Sequence, residues 1–136
     1  MWKHLTVIPE WKLITRTQVL GLVINGAAGT FPIDLSAYLP STAKFARLTA
    51  VTMDGDSTCT NLTPLESYIG GYSDSGNFQL KYFYNLQKTG TNFWAGSGYD
   101  MDLPVSGRKL YLTKPSGCDM GSGGGMNVYV YLNGYL

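Results

Sequence analysis

Asn77-Phe78-Gln79-Leu80-Lys81-Tyr82-Phe83-Tyr84-Asn85-Leu86-Gln87 is the stretch on which the reading of this chain turns. Leu80, Tyr82, Tyr84 and Leu86 fall on one side, and Gln79, Lys81, Phe83, Asn85 and Gln87 on the other. Alternation with a period of two belongs to an extended strand, whose successive side chains point to opposite faces. The run is also rich in aromatic residues, which fit a pleated, half-buried surface.

The same pattern recurs on both sides of this strand. Downstream, residues 99–105 form a further strand closed by Ser106-Gly107. Lys109-Leu110-Tyr111-Leu112-Thr113-Lys114 alternates again. A glycine-rich loop over residues 115–125 leads to a last strand, Asn127-Val128-Tyr129-Val130-Tyr131-Leu132-Asn133, with Val128, Val130 and Leu132 on one face and Tyr129 and Tyr131 on the other. Upstream, residues 44–53 alternate with both faces largely apolar, which predicts a central strand. Asp54-Gly55-Asp56-Ser57 has the composition of a turn, and residues 58–72 are mixed, ending in Gly70-Gly71. Residues 34–40 suit a single helical or 3₁₀ turn stopped by Pro40. Residues 5–8, 11–14 and 18–24 read as strands around Pro9-Glu10 and before the turn at residues 25–29. About eight short strands separated by turn signals predict an all-β antiparallel sandwich, jelly-roll-like, with an N-terminal β arm.

Composition supports that class. The chain has 136 residues, 44% hydrophobic and only 14% charged, against roughly 25% charged in an ordinary soluble domain. Ten tyrosines and seventeen glycines suit strands and turns better than solvated helices. The net charge of +1, with Arg108-Lys109 the only adjacent basic pair, gives no electrostatic footprint for nucleic acid. The longest apolar stretch, residues 19–28, is too short for a membrane helix, and the N-terminus lacks the pattern of a secretory signal.

Catalytic and metal chemistry find little to work with. His4 is the only histidine, and no nucleophile elbow, phosphate-binding loop or dinucleotide fingerprint is present. Asp54 and Asp56 loosely echo a calcium loop without its later glycine and glutamate. Asn61-Leu62-Thr63 fits an N-glycosylation pattern short enough to arise by chance. Cys59 and Cys118 suit either two buried thiols or one disulfide. No catalytic residue, metal or cofactor is therefore expected.

The aromatic residues say more. Phe93 and Trp94 stand in a Gly/Thr/Asn/Ser loop with Tyr99 beyond. Such rings either fold back onto the core or offer a flat face to a sugar ring, with polar groups holding its hydroxyls. On the second reading Asn92, Phe93, Trp94, Tyr99, Asp100 and Asp102 form the glycan site. Asp100 and Asp102, two apart, project from one face of a strand. As a pair of carboxylates they also raise glycoside hydrolysis, for which a third carboxylate and a cleft would be needed. Tyr129 and Tyr131, opposite the aliphatic face of the last strand, suit a subunit interface or a second layer of the same domain.

Phe31-Pro32-Ile33-Asp34-Leu35-Ser36-Ala37-Tyr38-Leu39-Pro40, followed by Ala43-Lys44-Phe45-Ala46-Arg47-Leu48-Thr49-Ala50-Val51, resembles a run found in tail-fibre and head-spike appendage modules of tailed phages and phage-derived gene-transfer particles. The closing strand, ending in Gly134-Tyr135, is also similar to theirs. The resemblance covers residues 31–136 in outline and is detailed only at its two ends; residues 54–126 match no motif. It implies a jelly-roll-like sandwich, commonly a homotrimer, located on the virion and contacting a host surface polysaccharide. Residues 1–30 are then the N-terminal β arm or attachment segment, and residues 31–136 the sandwich domain. The expected function is a non-enzymatic virion appendage with other virion proteins as partners, without nucleic-acid binding or membrane insertion. The alternatives are a purely structural decoration, connector or tail protein, and a non-viral lectin-like module.

Overall fold

The computed structural model describes residues 10–24, 29–55, 64–86, 94–114 and 125–136. They form eight strands: β1 (Lys12–Ile24), β2 (Gly29–Asp34), β3 (Phe45–Gly55), β4 (Pro64–Tyr72), β5 (Phe78–Leu86), β6 (Trp94–Pro104), β7 (Lys109–Lys114) and β8 (Gly125–Tyr135). A 3₁₀ turn, Ser106–Arg108, stands between β6 and β7. The strands build two four-stranded antiparallel sheets, in the orders β1-β8-β3-β6 and β2-β7-β4-β5. The fold is the all-β sandwich that the alternation predicts.

Pairing is nested. The first strand pairs with the last, the second with the seventh, the third with the sixth and the fourth with the fifth. Only β4 and β5 are consecutive within one sheet; every other step along the chain changes sheet. The turn between them, residues 73–77, is closed by Ser73 N–H donating to Asn77 O at 2.9 Å and Gly76 N–H donating to Ser73 O at 2.9 Å.

Central strands obey their sequence. In β3, Ala46, Leu48, Ala50 and Thr52 are fully buried, while Phe45, Arg47, Thr49 and Val51 are half-buried on the outer face. In β8, Val128, Val130 and Leu132 enter the core and Tyr129 and Tyr131 take the outer face. Ile33, Ile69, Phe83, Leu110 and Leu112 come to the same core from the second sheet. Each such side chain contributes about 1.5–3 kcal/mol on burial.

The edge strand β5 behaves differently. Its period is as predicted, yet its more apolar face points outward: Tyr82 is half exposed, while Phe83 is completely buried. Phe83 anchors the inner face, and Gln79 and Lys81 on that face remain exposed at the margin of the sandwich. Residues 12–24, expected as part of an arm, supply the edge strand of the first sheet along β8, and β2 runs across the boundary expected at residue 30.

The turn expected at residues 34–40 forms. Ser36 N–H donates to Asp34 Oδ1 at 2.8 Å and Leu39 N–H to Leu35 O at 2.9 Å, seating Leu35 and Leu39 in the core. The Arg108 guanidinium holds the turn from outside by donating to Ser36 O and Leu39 O at 3.2 and 3.3 Å.

Candidate functional site

Alternation along three strands places a set of rings on the outer face of the second sheet. Tyr68 and Tyr72 come from β4, Phe78 and Tyr82 from β5, and Tyr111 from β7. Tyr68 stands opposite Tyr82 and Thr113, Tyr72 opposite Phe78, and Gly70 opposite Tyr111 and Leu80. The register therefore leaves a gap at Gly70 between two rows of larger side chains. The Phe78 ring fills part of it: a β-carbon at position 70 would overlap that ring.

The rings support one another. Tyr72 meets Phe78 at 4.8 Å between centroids and Tyr111 edge-on at 6.2 Å; Tyr68 meets Tyr82 edge-on at 5.7 Å. These are favoured aromatic geometries, and they hold the rings in place without burying them. Tyr72 is 45% exposed, Phe78 39% and Tyr82 50%. Thr30, Tyr68, Tyr72, Phe78, Tyr111 and Thr113 line a groove of about 400 Å³. The Thr30 and Thr113 hydroxyls lie 3.1 Å apart across the β2–β7 pair at one end of it.

The outer face of the first sheet is polar. Arg47 donates from Nε and Nη2 to the two carboxylate oxygens of Asp102, at 2.9 and 3.1 Å. This bonding raises the Arg47 pKa above its ordinary value. The guanidinium also lies 4.1 Å from the centre of the Trp11 ring. Two residues along β3, Asn133 Nδ2 donates to Thr49 Oγ1 at 2.8 Å, and Thr49 Oγ1 donates to Asp100 Oδ1 at 2.6 Å. Arg47, Lys81, Asp100, Met101, Asp102 and Asn133 line a depression of about 500 Å³ beside this network.

The glycan residues expected from the sequence are thus divided. Asp100 and Asp102 share the outer face of β6, as their spacing predicts. Tyr99 lies on the opposite face of the strand, packed against the core, with its ring 5.9 Å from that of Phe83. Trp94 is described only as the first residue of β6, opposite Gly55. Asn92 and Phe93 lie outside the described residues, as do His4, Asp56, Cys59, Asn61 and Cys118. Tyr129 and Tyr131 occupy the outer face of the first sheet, where the Arg16 guanidinium stands 4.1 Å from the centre of the Tyr131 ring.

The aromatic groove was missed in the sequence. Its only local trace is the spacing of Tyr68, Tyr72, Phe78 and Tyr82; the convergence of three strands, with Tyr111 among them, depends on the sheet order. No group of three or more His, Cys, Asp or Glu side chains among the described residues could hold a metal ion. No protein-family model matches the chain, and no curated protein matches it in sequence.

Proposed function

We propose that this protein is a non-catalytic binding module of the virion-appendage type, and that it holds a host surface glycan in the aromatic groove of the second sheet. The observation that carries this reading is the set of partly exposed rings fixed on strands and flanked by hydroxyls. Such a surface can stack on the apolar face of a sugar ring while hydroxyls hold its polar rim. A groove of about 400 Å³ is within the usual range for a small-ligand site.

Two further features support the reading. The nested pairing, first strand with last and so inward, favours the jelly-roll assignment within the sandwich class. Both oxygens of Asp102 are engaged by Arg47, and Asp100 accepts from Thr49, so each carboxylate has a structural partner. Displayed as a homotrimer on a virion, weak single sites of this kind gain strength by avidity.

An immobilised panel of bacterial and plant polysaccharides probed with the purified chain tests the proposal. Binding to at least one member is expected, weakened tenfold or more by Tyr72→Ala with the melting temperature unchanged. Absence of binding across the panel would refute it. A purely structural virion protein is the second reading, favoured by Leu13, 74% exposed on the edge strand β1, where another chain could add. Sedimentation separates the two from a monomeric lectin: a trimer is expected, and a clean monomer at micromolar concentration would count against any appendage.

A further inference from the structure

Resting on that reading, we infer that the groove selects an uncharged polysaccharide and rejects acidic ones. The argument is electrostatic. Among the described residues its lining, Thr30, Tyr68, Tyr72, Phe78, Tyr111 and Thr113, contains no charged side chain. Donors and acceptors are present there only as hydroxyls, which can exchange hydrogen bonds with sugar hydroxyls in either sense.

A carboxylate or sulfate brought against the rings would shed part of its hydration. Without a cation, only neutral hydroxyl donors replace that water, and the loss is compensated only in part. Among the described residues, the charged positions nearest in register supply no unopposed cation: Glu66, two positions before Tyr68 on β4 and opposite Tyr84, is acidic. Lys109 and Asp34 stand opposite each other on β7 and β2. They sit two positions beyond Tyr111 and Pro32, and their charges offset. Lys81 belongs to the other face of β5 and lines the polar depression with Asp100 and Asp102. Among the described residues, the cation on the ring face, Lys109, is therefore offset by Asp34, while stacking, which needs no charge, remains.

Calorimetric titration of the full chain with three probes tests this: a neutral linear glucan oligosaccharide, an oligogalacturonate and an oligosialate. The neutral probe is expected to bind at least tenfold more tightly than either acid. Its affinity should change less than twofold between about 0.1 M and about 1 M NaCl, since no ion pair is made. Tyr72→Ala and Tyr111→Ala should each weaken it tenfold or more, and Lys109→Ala should not. Tighter binding of an acidic probe, lost in Tyr72→Ala, would overturn the selectivity and leave the glycan site standing. Neutral binding that survives both tyrosine variants would place the site elsewhere and overturn the inference. Silence from all three probes, together with silence from the wider panel, would remove the glycan reading itself.

Discussion

Gly71 sits where β4 passes the end of β6. A β-carbon there would overlap the Pro104 carbonyl oxygen and come within 2.7 Å of Leu110 Cδ2. The obstacle on one side is backbone, so relaxation is costly. Gly71→Ala is expected to destabilise the fold by about 3 kcal/mol, at the upper end for overpacking, as read by urea denaturation. The neighbouring Ser67 presents the reverse case. It is fully buried on the core face of β4 opposite Phe83, and its hydroxyl has no hydrogen-bond partner among the described residues. An unsatisfied buried hydroxyl costs about 1–3 kcal/mol. Ser67→Ala should therefore raise stability by about 1 kcal/mol in the same measurement, and a loss instead would mean the hydroxyl is bonded.

At the level of elements, the strands whose position was most legible are β3 and β8. Both are central, so both faces are constrained and the small or aliphatic side of each is the buried one. In β5 the period was legible and the orientation was not. An edge strand is held inward by one good anchor, and Phe83 outweighs the more apolar stripe that includes Leu80 and Tyr82. Residues 58–72 read as mixed because Gly70 and Gly71 interrupt the alternation of β4. The reasons for those glycines, the Phe78 ring and the Pro104 carbonyl, come from other strands. Of the expected site, the Asp100 and Asp102 pairing was legible because it is local. Tyr99 was placed beside them although the same alternation sends it to the opposite face. The groove was out of reach because Tyr111 joins Tyr68 and Tyr72 only through the β4–β7 pairing.

Charge acts on the elements through two carboxylates. The Asp34 pKa is lowered, chiefly by the Ser36 N–H it accepts from, and the Asp74 pKa chiefly by its hydrogen bond with Lys44. A carboxyl whose pKa falls on folding binds fewer protons in the folded state. Its contribution is complete above the ordinary value of 3.8 and disappears as the pH drops below that value through the depressed one. Thermal melts should be flat from about pH 7 to about pH 5 and fall below about pH 4. Asp34→Asn with Asp74→Asn should make that acid limb shallower.

For the molecule as a whole, nested pairing means that the first contacts in the chain are not the ones that close the sandwich. β1 must find β8 from the far end of the sequence. Chains dominated by such distant pairings fold in milliseconds to seconds. The pairing also sets Lys12 opposite Tyr135, while Leu136 is tied to Lys44 and Phe45 by backbone hydrogen bonds. In space, then, the start of β1 lies beside the end of β8, and the order of strands closes on itself. A rearranged protein, spliced between β1 and β8 by a short glycine-serine bridge and reopened within residues 73–77, keeps every ladder intact. It should melt in one cooperative step with the ring face undisturbed, as tyrosine fluorescence would report.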